Sequence, residues 1–240
     1  QAIKDARAAG SPFEESLDYL TLSKVYCREL RKQECYAAAE KAVGILHALV
    51  EEEKDERNSQ MEDHLFLAED YRVYADAAIW LDDMGLAERL LAKAEAIYNL
   101  YHVGDRYYPR FLYTSLFLEI ARAGDKGRID DLCLKLEETL SRSKDKYDKA
   151  QFEFLKALHA YVESKKEPTM SMKIEEPLGK ALAMNTALKI PVERLENECL
   201  FNLYDDLSGS MRRYQNRYNQ FTDRWIEYVE TRFRSWREKA

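Results

Sequence analysis

Four histidines are the first residues to weigh for chemistry. His47, His64, His102 and His159 have Gly44, Met61, Asn99 and Lys156 three positions earlier, so none forms the Glu-x-x-His pair with which a helical bundle holds a di-metal centre. The four cysteines, Cys27, Cys35, Cys133 and Cys199, lack Cys-x-x-Cys spacing and lie among helix formers, which reads as reduced packing side chains. Cys27 and Cys35 flank one turn, where geometry allows a disulfide without requiring it. Gly124-Asp-Lys-Gly127 is too sparse in glycine to cradle a phosphate and reads as a turn. Ser208-Gly209-Ser210 lacks the strand-turn-helix context of a nucleophile elbow. The abundant Asp and Glu are what solvated helix faces carry. These residues predict a non-catalytic chain, with no metal and no cofactor, whose function is binding.

Composition narrows the partner. A 46% hydrophobic share, 34% charged residues and only 8 Gly and 5 Pro in 240 residues favour helix over sheet. No segment reaches the ~20 apolar residues of a membrane span, and the opening Gln-Ala-Ile-Lys-Asp resembles neither a signal peptide nor a natural initiator. The chain therefore reads as a soluble piece of a longer product. A cytoplasmic location is expected, with a periplasmic sensor domain as the alternative. A net charge of −7 argues against nucleic acid, because phosphate binding rests on a Lys/Arg excess.

The elements that must position any site are helices. Apolar residues recur at three- and four-residue spacing throughout, with no sustained alternation, and the breaks predict ten helices, over 13–30, 34–53, 62–83, 86–101, 107–123, 127–141, 146–165, 174–188, 191–207 and 211–238. The breaks include Gly10-Ser11-Pro12, Arg31 to Gln33, the polar run Lys54 to Gln60, Met84-Gly85, His102 to Tyr107 and Ile190-Pro191. Gly85 and Gly124 are expected at helix ends. Short connections make consecutive helices antiparallel.

Tyr71, Tyr74, Ala75 and Ala78, followed by Ala87, Leu91 and Ala94, resemble a tetratricopeptide repeat, in which small residues let two helices approach while large ones fill the space between hairpins. Tyr19, Leu22, Ser23 and Tyr26, then Cys35, Ala39 and Ala42, fit the same frame. Three later hairpins keep the rhythm and lose much of the pattern. The resemblance implies an all-α fold, an α-α superhelix of about five antiparallel hairpins over 1–210 closed by a long helix at 211–240. Longer, degenerate repeats of this sort are similar to those of bacterial regulators and sensors.

The resemblance also implies a groove lined by the first helix of each pair, suited to a peptide or protein. Its groove positions fall on Leu20, Lys24 and Cys27, then on Arg72, Asp76, Ile79 and Trp80, then on Tyr108, Phe111, Ser115 and Glu119, and lastly on Phe152, Leu155 and His159. The chaperone-binding subclass, which grips a terminal carboxylate, is not expected, because Leu20 and Val73 occupy two of its positions. A sensory or interaction module of a bacterial regulatory system is the leading expectation, and a passive assembly scaffold is the alternative. Tyr98, Tyr101, Tyr107, Tyr108, Phe111, Tyr113 and Phe117 form a second aromatic cluster, read as packing.

The segment 211–240 carries eight Lys/Arg against four Asp/Glu. Tyr214, Tyr218, Phe221, Trp225 and Tyr228 recur at steps of four and three, a heptad seam. Capping of the array is the expected use. A homodimer seam, or a connector whose Arg232, Arg234, Arg237 and Lys239 approach an anionic surface, is the alternative.

Overall fold

Helices in this chain begin where a side chain can receive their first free N–H groups. Ser11 accepts from the Glu14 amide at 3.4 Å ahead of Pro12, and Asp83 accepts from the Leu86 amide at 3.2 Å. Asp125 does the same for Arg128 at 3.0 Å, and Asp145 accepts from Tyr147 and Asp148 at 2.8 and 3.3 Å. The computed structural model describes residues 2–52, 59–101, 107–189, 193, 196–200, 203–204 and 220–240. All its elements among these are helical. The α-helices are α1 (Ala2–Ala9), α2 (Pro12–Arg28), α3 (Lys32–Glu52), α4 (Ser59–Trp80), α5 (Met84–Tyr101), α6 (Tyr108–Ala121), α7 (Lys126–Arg142), α8 (Lys146–Glu163), α9 (Glu175–Ala187) and α10 (Gln220–Lys239). A 3₁₀ helix spans Pro168–Lys173, and residues 193, 196–200 and 203–204 are also helical. Most of the polar run Lys54 to Gln60, His102 with Asp105 and Arg106, Ile190-Pro191, Leu207, Ser208 to Ser210, Tyr214, Tyr218 and the side chain of Phe221 lie outside the described residues.

The ends of the helices repeat one device. Leu30, Asp82 and Ala123 adopt φ of 58°, 60° and 51°, a left-handed conformation that non-glycine residues avoid at a cost of roughly 1 kcal/mol. After α2, Leu30 and Arg31 donate back to the carbonyls of Cys27 and Tyr26 at 3.0 and 2.9 Å. After α4, Asp82 and Asp83 donate to Ile79 and Ala78 at 3.0 and 2.8 Å. After α6, Ala123 and Gly124 donate to Ile120 and Glu119 at 3.1 and 2.8 Å. These Schellman pairs satisfy the last carbonyls of three first helices in the same way. Gly85 is not at an end, contrary to expectation. The turn lies at Leu81 to Asp83, and Gly85 sits in the first turn of α5.

The described residues divide into two compact units, 1–114 and 115–240. In the first, α2 packs on α3, α4 on α5, and α3 on α4. Ser23, Cys35, Ala39, Ala42, Ala75, Ala87 and Ala94, the predicted small positions, are all at most 1% exposed. Ser23 Oγ meets Cys35 Sγ at 3.3 Å across the first hairpin, so small side chains are what admit the second helix. Tyr19, Tyr71, Tyr74 and Leu91 are buried beside them. All four cysteines are free thiols. The helix α1, which sequence periodicity does not foretell, brings Ile3 onto a cluster of Tyr19, Leu20, Ala38, Ala42 and Val73.

In the second unit α8 packs on α9 and α10 packs on α8. The face that α10 buries runs through Trp225, Val229, Phe233 and Trp236, each at most 3% exposed. Phe233 meets Phe154 at 6.0 Å and Trp236 meets Phe117 edge-on at 5.5 Å. The described part of the seam is thus turned from the expected one. Trp225 belongs to it, while Tyr228 is half-buried at its edge, stacked on Trp225 at 5.8 Å. The helical repeat of 3.6 carries the stripe onward to Val229, Phe233 and Trp236, beyond the run that ended at Tyr228. Two of the basic residues are also held within the unit. Arg237 donates to Ser164 Oγ at 3.2 Å and Arg232 covers the Tyr228 ring at 5.0 Å.

Candidate binding surface

Because the three Schellman turns are equivalent, Tyr26, Ala78 and Glu119 mark the same place on α2, α4 and α6, and counting back from them aligns the first helices residue by residue. Lys24 then corresponds to Asp76, Leu20 to Arg72, and Leu17 to Glu69 and Arg110. In the first unit these side chains share one face. Arg72 donates twice to Glu69, at 2.7 and 2.6 Å, and once to Thr114 Oγ1 at 3.1 Å. Arg110 reaches Glu69 at 3.9 Å. Burial by itself would lower the Arg72 pKa, but the charge and paired hydrogen bonds of Glu69 reverse that and hold it raised. Glu69 is therefore spent on arginine, and α4 and α6 are clasped by it.

Lys24 stands apart from this clasp. It is exposed, yet its ammonium pKa is lowered, first by desolvation and next by the charge of Arg72, against the weaker pull of Asp76 and Glu69. No carboxylate among the described residues lies within ion-pair distance of it. Both signs of charge lie around it, Arg72 and Arg28 on one side and Asp76 and Glu69 on the other.

Nearby, Ser16 Oγ donates to Asp70 Oδ2 at 2.5 Å. Asp70 is 4% exposed, and burial pushes its carboxyl up to about 7, the Ser16 bond opposing the rise. Tyr98 from α5 is 2% exposed. Its hydroxyl is buried without a hydrogen-bond partner among the described residues, and its pKa is raised, first by burial and next by the charge of Glu69. Apolar surface borders the charges. Phe13 meets Phe66 at 4.2 Å, Phe66 meets Tyr107 at 6.2 Å, and Leu17 is 52% exposed.

The predicted groove residues divide accordingly. Lys24, Arg72 and Asp76 share this surface. Leu20, Cys27, Ile79 and Trp80 are buried, so they support it from below. Phe111 is also buried, stacked with Tyr108 at 5.8 Å and tilted against Tyr98 at 5.4 Å, which makes this aromatic group packing. On α6 the face shared with Arg72 and Glu69 holds Arg110 and Thr114, both missed from sequence, rather than Tyr108 and Phe111.

In the second unit Ser115 is buried, and Glu119, 1% exposed, is held by Arg122 at 2.7 Å and Arg128 at 2.9 Å. That carboxylate is a structural lock and does not face a partner. Phe152 and Leu155 are core. His159 is half-buried, its Nε2 has no partner among the described residues, and desolvation lowers its pKa while Glu163 and Asp130 oppose the shift.

Among the described residues no three His, Cys, Asp or Glu side chains gather as a metal-ligand set, and no described helix is long and apolar enough to cross a membrane. What the surface can do chemically is hold charge and apolar side chains along the first helices. Comparisons of the chain with protein-family models, with curated proteins and with solved structures find no match.

Proposed function

We propose that the chain is a tetratricopeptide-like array that binds a peptide or protein partner on the face of its first helices, as the interaction or sensory part of a regulatory system of the bacterial kind. The observation that carries this reading is the shared face of the first helices, where Leu17, Lys24 and Arg110 are exposed beside the Arg72–Glu69 pair. The repeated turns and buried small residues support the array, since they give each hairpin the same geometry and align the same face from helix to helix.

The test is a triple variant, Leu17→Ser, Lys24→Ala and Arg110→Ala, all at side chains more than a third exposed. Its thermal melt should match the parent, while its affinity for a partner selected by the parent should fall by at least tenfold, on the order expected from losing one charge-assisted contact and one apolar contact. Unchanged affinity would place the partner elsewhere.

A further inference from the structure

We propose that Cys27 and Cys35 are a reversible redox pair, closing a disulfide between the end of α2 and the start of α3 when hydrogen peroxide is the oxidant. The backbone brings the two residues together through one short turn. Leu30 donates to the Cys27 carbonyl at 3.0 Å, Arg31 to the Tyr26 carbonyl at 2.9 Å, and Cys35 to the Arg31 carbonyl at 2.9 Å. The last turn of α2 and the first turn of α3 are thus tied to the same residues. Ser23 and Cys27 are one helical turn apart on α2, and Cys35 Sγ sits 3.3 Å from Ser23 Oγ. Cys35 also makes a side-chain hydrogen bond with Cys27, and Cys27 Sγ lies 4.0 Å from the Ala77 carbonyl oxygen of α4. Cys133 and Cys199 belong to the other unit, and burial pushes both of their thiols up, which leaves them little thiolate to react.

The two thiols divide the chemistry. Cys35 is held below the ordinary thiol range by its hydrogen bonds with Cys27 and Ser23, against burial, whereas Cys27 is raised by its bond to Cys35 and by burial. The Cys35 thiolate attacks one peroxide oxygen. An S–O bond forms, the O–O bond breaks, and the hydroxide that leaves takes up the proton Cys35 released. Cys27 sulfur then attacks the sulfenic sulfur of Cys35, so that an S–S bond forms, the S–O bond breaks, and the departing hydroxide carries away the Cys27 proton as water. Two thiols and one peroxide give one disulfide and two waters, with the electron pair passing from sulfur to oxygen. Both residues are at most 4% exposed, so the peroxide enters when this end of the hairpin opens locally, and a dithiol reductant reverses the closure by the same route.

The experiment treats the full chain with hydrogen peroxide under native conditions, alkylates the remaining thiols in denaturant, and reads the tryptic peptides by mass spectrometry. The expected product is 25–28 linked to 33–41, with Cys133 and Cys199 alkylated. Its melting temperature should rise by roughly 5–10 °C and return to the parent value with dithiothreitol, the scale of closing so short a loop in a chain of this size. In Cys27→Ser, which cannot close, dimedone should trap a sulfenic acid on Cys35. In the double variant Cys133→Ser, Cys199→Ser, the same link should form as in the parent. Cys27 and Cys35 both recovered alkylated after peroxide would overturn the pair, as would a link from either to Cys133 or Cys199. A link that lowers the melting temperature is a bridge the native hairpin does not accommodate, and overturns it too.

Discussion

Asp70→Asn should stabilise the protein above neutral pH and do little in acid. Asp70 is enclosed between α2 and α4, bonded to Ser16 at 2.5 Å, with Lys24, Glu69 and Arg72 as its charged neighbours. Its carboxyl titrates near 7 in the fold against 3.8 for the ordinary group, and burial is the main cause. The native state thus binds a proton that the unfolded chain has already released. The contribution of Asp70 to stability is greatest below about pH 4, declines as pH rises toward 7, and is level above that. A shift of about 3 units at roughly 1.4 kcal/mol each gives an upper bound on the order of 4 kcal/mol. Asparagine cannot ionise and still offers an oxygen to Ser16. Urea melts of parent and variant at pH 4, 6 and 8, followed by circular dichroism, should show near-equal stability at pH 4 and a growing advantage for the variant toward pH 8. A variant that loses ground to the parent as pH rises would refute the buried, proton-holding carboxylate.

Three further changes test the packing. A Cβ at Gly124 would overlap Oε2 of Glu119, so Gly124→Ala should displace a carboxylate that Arg122 and Arg128 hold, lowering stability by roughly 3 kcal/mol in a thermal melt. Ala75→Trp should overpack a fully buried helix contact, costing about 1–3 kcal/mol or more, whereas Lys24→Ala leaves the melt unchanged. Trp236→Ala should remove a fully buried ring packed on Phe117 and Phe233 and cost about 3–5 kcal/mol by calorimetry. A parent-like melt would free α10 for a partner chain.

The helices were legible because their apolar spacing is regular and breaks such as Gly10-Ser11-Pro12 separate them. Most of the boundaries that can be compared agree within three residues. What the sequence hid was conformational. Leu30, Asp82 and Ala123 close three helices in a left-handed conformation usually left to glycine, so glycine positions misled the reading of the turn before α5. The same blindness displaced the third hairpin. The resemblance offered Tyr108, Phe111, Ser115 and Glu119 on α6, whereas its turn aligns Arg110 with Glu69. Lys24, Arg72 and Asp76 could be assigned to one face because the first two hairpins carry the small-residue pattern that fixes their frame. The pairing of Glu69 with Arg72 was not read, since nothing in a sequence distinguishes a carboxylate that clasps an arginine from one that is merely solvated.

The central claim, that a partner lies along the first helices, is tested most directly by site-specific photocrosslinking. A benzoylphenylalanine placed at position 17 or 21 on α2 lies on the proposed surface, and one at position 92 or 95 lies on an exposed part of α5. With a selected peptide bound, mass spectrometry should find the crosslink from positions 17 and 21 and none from 92 and 95. Crosslinks from α5 with none from α2 would contradict the account.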